Sequence, residues 1–123
     1  MEHVVILGAS NNSSRYSYKA QVKLVEQGHT VYPVSIKDDS ILGIPSHRSL
    51  EDIEHTIDTV TVYINPAHLH QVIEDILNLD PKRVIFNPGS ESMEEMTQLE
   101  KAGITVQTAC TLVLLATDQF EEN

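Results

Sequence analysis

The chain has 123 residues, 41% of them hydrophobic, which suits one domain with one ordinary core and leaves no room for a second. Its 18 acidic residues against 8 basic give a formal net charge of −10, which sets most of the surface against a nucleic-acid backbone. The start lacks the basic and long apolar stretches of a signal peptide, no apolar run approaches the roughly 20 residues that cross a bilayer, and one cysteine cannot close an internal disulfide, so a reduced cytoplasmic protein without membrane or nucleic-acid partners is expected.

In chain order, short β-branched runs alternate with stretches of helical period. That is the pattern of an α/β domain, and it predicts a three-layer Rossmann-like fold with a parallel sheet of about five strands flanked by helices. The strands are expected over residues 3–8, 29–34, 59–64, 83–86 and 105–107, each rich in Val, Ile, Thr or an aromatic residue and each expected to be buried on both faces. Between the first two, Ala20, Val22, Leu24 and Val25 give an apolar helical stripe that Gly28 would end. Residues 35–53 break the rhythm with Gly43, Pro45 and a Ser49-Leu50-Glu51-Asp52 helix start, so a loop with a short helix is predicted there. Pro66 suits the first position of a helix over residues 66–79 that Pro81 would stop, with Val72, Ile73, Ile76 and Leu77 on its inner face. Over residues 92–102, Met93, Met96 and Leu99 recur at helical spacing ahead of Gly103, and a last helix starts near Cys110 and carries Leu112, Val113, Leu115 and Ala116. The acidic end, Glu121-Glu122-Asn123, reads as a solvated terminus.

Ligands of open parallel sheets bind beyond the carboxyl ends of the strands, so the loops there are where chemistry is sought. After the first strand, Gly8-Ala9-Ser10-Asn11-Asn12-Ser13-Ser14-Arg15 offers a small turn residue, hydroxyl and amide donors and a cation, which suits phosphate; the same residues would also make an ordinary polar turn with a helix cap. The loop has neither the Gly-x-Gly-x-x-Gly fingerprint nor a Walker sequence. After the second strand comes Ser35-Ile36-Lys37, without the early acid that would hold the ribose of NAD. Lys37 favours a phosphorylated ribose, or is simply an exposed loop lysine. Asn65-Pro66-Ala67 and Asn87-Pro88-Gly89-Ser90 are tight loops at the same edge, open to close ligand approach or serving only as punctuation.

Catalytic groups are not found. No Ser-His-acid order is present, His68 and His70 point apart on a helix, and Cys110 has no second thiol nearby, so neither a triad nor a metal set is predicted. Glu91, Glu94 and Glu95 read as complements to a helix dipole. Cys110, at a helix start, reads either as an inert core residue or as a thiol of lowered pKa able to act as a thiolate.

The ordered set says more than its members. Gly8-Ala9-Ser10 with Arg15, Gly28-His29-Thr30-Val31-Tyr32-Pro33-Val34, Ile41-Leu42-Gly43-Ile44-Pro45 with Ser49-Leu50, Val62-Tyr63-Ile64-Asn65-Pro66, Asn87-Pro88-Gly89-Ser90-Glu91 and Ala102-Gly103-Ile104 leading to Cys110 span nearly the whole chain. In this order they resemble the small CoA-binding domain proteins related to the N-terminal domain of succinyl-CoA synthetase's alpha subunit. The resemblance implies a CoA or acyl-CoA site with pyrophosphate at the first loop and Arg15, Lys37 facing the nucleotide phosphates, and the Asn65-Pro66-Ala67 and Pro88-Gly89-Ser90 loops flanking adenine, ribose or pantetheine. Two positions depart from the family pattern: Val34-Ser35-Ile36 stands where members continue Val-Asn-Pro, and Asn87 stands where Gln or another residue precedes Pro-Gly. The larger synthetases place a phosphohistidine in a second domain and need an ATP-grasp partner, so no ligase activity is expected of these residues. A binding module for CoA is the leading expectation; an NADP-binding redox protein and a ligand-free interaction module that pairs with itself as a homo-oligomer or with another chain are the others.

Overall fold

The computed structural model describes residues 1–121. It holds a five-stranded, wholly parallel sheet in the order β2-β1-β5-β6-β7, made by β1 (His3–Leu7), β2 (Thr30–Val34), β5 (Thr59–Val62), β6 (Arg83–Phe86) and β7 (Thr105–Thr108). Between β2 and β5 lie β3 (Ser40–Ile41) and β4 (Ile44–Pro45), which pair antiparallel as a separate small hairpin, and a single 3-10 turn (Leu50–Asp52). Helices α1 (Tyr16–Glu26) and α4 (Thr111–Ala116) pack together on one face of the sheet. The other face carries α2 (Pro66–Leu79) and α3 (Met93–Lys101). Strand order reverses direction between β1 and β5, so the crevice at the carboxyl end of β1 is the switch point of the fold.

Residue alternation along the strands divides the core in two. Val5, Leu7, Val60, Val62, Val84 and Phe86 meet Leu69, Ile73, Ile76 and Leu99 beneath α2 and α3, while Val4, Ile6 and Ile85 meet Leu24, Leu114 and Leu115 beneath α1 and α4. The central strands are buried on both faces as expected, but β7 is not. Thr105 and Thr108 are exposed and Val106 and Gln107 half-buried, because β7 is an edge strand with cover on one side only. Among the described residues no helix is long and apolar enough to cross a membrane.

Several boundaries follow from local chemistry. Gly28, at φ +88°, takes the left-handed position past the end of α1, and the amide of His29 returns to the Leu24 carbonyl. Asn65 caps α2 by accepting the His68 amide at 2.9 Å, with Pro66 at the first helical position. The third sheet strand stops at Val62, two residues before the expected end, and Tyr63 and Ile64 turn into the loop. Two helix faces also differ from expectation. Met93 and Val25 are exposed, and the buried positions of α1 include Ser17 and Gln21, whose side-chain amide donates to the Ile41 carbonyl at 3.0 Å. Glu121 is tied to the chain terminus, its carboxylate 2.7 Å from the Met1 ammonium, whereas Glu122 and Asn123 lie outside the described residues.

Candidate ligand-binding site

The end of β1 turns at Gly8, which has φ +96° and packs so closely against the β5–α2 loop that a Cβ there would stand 3.0 Å from Ile64 Cγ2 and 3.2 Å from the Tyr63 carbonyl carbon. Only glycine fits such a turn. The amides of Gly8 and Ala9 both donate to the Val34 carbonyl, so the first loop is carried across the top of β2. Two clefts open on either side of this crossing. One, of about 570 Å³, lies over β2 and takes in Gly8, Ala9, Ser10, Arg15, Lys37 and Arg48, with Leu7, Val34, Leu50, Ile64 and Val72 as its apolar lining. The other, of about 310 Å³, lies over β5 and β6 and takes in Gly8, Arg15, Tyr16, Ser17, Asn65, Pro88, Gly89 and Ser90. Gly8, Arg15 and Ile64 border both.

Three of the chain's eight basic residues, Arg15, Lys37 and Arg48, therefore converge on one cleft of a protein whose formal net charge is −10. Among the described residues the side chains of Arg15 and Lys37 have no acidic partner. Arg15 is also the N-cap of α1, with extended backbone and no capping side chain, so the first amides of that helix point their partial positive charge toward the second cleft.

Lys37 is presented by Ser35. In place of the Asn-Pro of the family pattern, the buried Ser35 hydroxyl accepts the amides of Lys37 at 3.2 Å and Asp38 at 3.0 Å, a local turn that closes the loop over β2. Arg48 comes from further along the chain. A parallel bridge between Val34 and His47 brings it there, and its guanidinium donates to the Ile36 carbonyl at 2.7 Å and to Asp39 at 2.8 Å.

On the other side, Asn87 is a buried bracket. Its amide nitrogen donates to Thr61 Oγ1 at 2.8 Å and the Val62 carbonyl at 3.0 Å, and its side-chain oxygen accepts the Thr111 amide at 2.8 Å, which caps α4. Its backbone carbonyl accepts from Ser90 Oγ at 2.7 Å, so the Ser90 hydroxyl is turned inward. Pro88 and Gly89 are left as the exposed rim, and the Gly89 amide donates to Glu91 at 2.8 Å. Tyr63 forms part of the wall of this cleft, and burial pushes its phenol above the ordinary value of 10.

Of the residues singled out in the sequence, Gly8, Ala9, Ser10, Arg15 and Lys37 meet at the first cleft, and Asn65, Pro88, Gly89 and Ser90 at the second. Pro66 begins α2 and Cys110 stands half-buried as the N-cap of α4; neither lines either cleft. Arg48 and Gln71 line the first cleft without having been singled out, and His68, weighed in the sequence only as a metal ligand, lines it as well.

Away from both clefts, His70, Glu94 and Glu95 offer possible ligand atoms within 4.8 Å of one another, a grouping that the sequence spacing of the histidines did not suggest. Glu95 serves as more than a dipole complement: it is 3% exposed, accepts from Ser92 Oγ and lies 3.2 Å from His70 Nδ1. The Ser92 hydroxyl, helped by His70 and opposed by burial, holds its carboxyl below the usual carboxylate range.

Comparison with known proteins gives the same architecture. A family model described as a CoA binding domain matches residues 2–116. A solved structure described as an uncharacterized protein is 42% identical, with a TM-score of 0.92 and 98% of each chain covered. The uncharacterized protein YneT of Bacillus subtilis is 27% identical over 105 residues, covering 85% of this chain and 78% of that protein. The alpha subunit of ADP-forming acetate–CoA ligase II of Pyrococcus furiosus is 25% identical over 71 residues, covering 57% of this chain and only 16% of that subunit.

Proposed function

This chain belongs to the CoA-binding domain family, and on that premise we propose that it binds coenzyme A or an acyl-CoA as a carrier or sensor, without completing a ligase. The observation that carries the reading is the convergence of Arg15, Lys37 and Arg48 on a cleft beside the uncapped start of α1, at the switch point of the sheet. CoA brings a diphosphate and a 3′-phosphate joined to a long, largely uncharged arm. Clustered cations and helix amides suit the first, and a narrow second cleft with a proline-glycine rim suits the second. The close approach of backbone at Gly8 leaves the loop without a side chain where the two clefts meet.

In this reading Arg15 holds the diphosphate, because it borders both clefts, while Lys37 and Arg48 hold the phosphorylated ribose over β2. A second reading draws on the same two cations: they would equally suit the 2′-phosphate of NADP. Calorimetric titration of nucleotide-free protein with CoA, NAD, NADP and ATP in parallel separates the two. Saturable binding of CoA is expected, with Arg15→Ala weakening it about tenfold, the effect of one lost charge-assisted contact. Binding of NADP in preference to CoA would replace the first reading with the second.

A further inference from the structure

The loop that presents Lys37 also carries a negative charge into the same cleft. Asp38 lines the cleft, half-buried, and it is fixed on three sides: its amide donates to Ser35 Oγ at 3.0 Å, its carbonyl accepts from Ser46 Oγ, and its carboxylate accepts the backbone amide of Asn11 at 3.1 Å. Asn11 ties the contact further, its side-chain nitrogen donating to the Ser40 carbonyl at 2.8 Å. Asn11 belongs to the first loop, where a ligand phosphate would seek backbone amides. Asn11 does not itself line the cleft but stands between Ser10 and Asn12, which do, and its amide is already held by an anion of the chain's own, at the edge of a cleft that Arg15, Lys37 and Arg48 share with Asp38 and Asp75.

We propose that Asp38 is a built-in competitor for the ligand's phosphate groups: its carboxylate holds the Asn11 amide in their place and sets how tightly, and how selectively by charge, the cleft takes its ligand. This rests on the reading of the cleft as a CoA site. Two anions cannot share one amide, and a carboxylate beside a bound phosphate repels it, so the penalty grows with the charge of the ligand and disappears for an uncharged one. The repulsion is between half-exposed groups and is therefore screened by salt.

Two substitutions divide the effect. Asp38→Asn keeps an oxygen for the Asn11 amide and removes the charge, so the loop keeps its strap; Asp38→Ala removes both. Full-length protein and both variants would be titrated with CoA, dephospho-CoA and adenosine at low and high salt, with thermal unfolding as the check that each variant is folded. Asp38→Asn is expected to bind CoA about fivefold more tightly at low salt, with a smaller gain for dephospho-CoA, none for adenosine, and a reduced gain at high salt. Asp38→Ala should gain at least as much if it folds; if it does not, Asp38→Asn alone decides. CoA affinity unchanged or weakened in Asp38→Asn would overturn the proposal and make Asp38 a strut or a direct ligand contact. Absence of CoA binding by all three proteins would instead remove the reading of the site itself.

Discussion

The two ends of the sheet treat charge in opposite ways. At the amino end, Arg83 is buried and its guanidinium donates to Thr59 at 3.1 Å, to Gln107 at 3.3 Å and to both Glu2 oxygens at 3.3 and 3.4 Å, with the Phe120 ring 4.7 Å from its Cζ. Beside it, Lys82 meets Asp58 at 3.1 Å, and Asp58 accepts the His3 amide at 2.8 Å. At the carboxyl end, Arg15 and Lys37 stand at the rim of an open cleft, without an acidic partner among the described residues. A charge enclosed by its own acceptors holds the chain together. A charge left in a concave, partly apolar cleft is available to something else, and this contrast separates the buried, paired Arg83 from Arg15 where sequence composition treats both alike.

The sharpest way to break the comparison is at Arg83. Arg83→Met keeps much of the apolar stem and removes the guanidinium, so Thr59 Oγ1 and Gln107 Oε1 lose its donation and Glu2 keeps the Thr59 hydroxyl at 2.6 Å but loses its cation. The expected loss of stability is about 3 kcal/mol, the lower end for breaking a buried pair, since Glu2 keeps some contact with water. Urea unfolding measures it, and CoA affinity of the folded fraction should not change. A loss below about 1 kcal/mol would place Arg83 among ordinary surface charges.

Gly8 tests the seam between scaffold and site. Gly8→Ala puts a Cβ at φ +96° against Ile64 Cγ2 and the Tyr63 backbone, where the neighbours include main chain that cannot swing aside. The left-handed backbone alone costs a non-glycine residue about 1–2 kcal/mol, and contact with Tyr63 and Ile64 should bring the total to about 2 kcal/mol. Unlike Arg83→Met, this variant should lose ligand affinity together with stability, because the loop would move away from both clefts.

Those same two regions show why some of the molecule was legible beforehand. β-branched runs marked every strand of the sheet and helical period every helix, because a strand buried on both faces is apolar or β-branched nearly throughout whereas a half-buried helix repeats at 3.6. It failed on β3 and β4, each only two residues long and joined by Leu42 and Gly43, both at positive φ; the glycine is visible as a turn signal, but a leucine at φ 53° is not. The site was legible where its residues are contiguous with a strand end, as from Gly8 to Arg15. Arg48 was not, because a bridge between Val34 and His47 carries it to the cleft, and one isolated parallel bridge leaves no pattern in sequence. Asn87 stood out only as a departure, and its work as a bracket between β5, β6 and α4 became visible through its three side-chain hydrogen bonds. Glu95 did carry a signal, since Ser92-x-x-Glu95 has the spacing of a capping box.

The smallest effect is expected at the other paired charge of the amino end, and its sign distinguishes pairing from mere proximity. The His3 amide, opposed by partial burial and helped by Lys82, holds the Asp58 carboxyl below its ordinary value of 3.8. A carboxyl whose pKa falls on folding contributes stability that is fully present above the unfolded value and is lost as the pH falls through the folded one. Stability measured by urea unfolding should therefore decline as pH is lowered past about 3.8, and Asp58→Asn, which can still accept the His3 amide but cannot ionise, should show a shallower decline. At neutral pH the variant should lose less than about 1 kcal/mol, because Lys82 is mostly exposed and solvent screens the pair. An unchanged acid slope in Asp58→Asn would mean that Asp58 titrates alike in folded and unfolded chains, and the contrast between the two ends of the sheet would then rest on Arg83 alone.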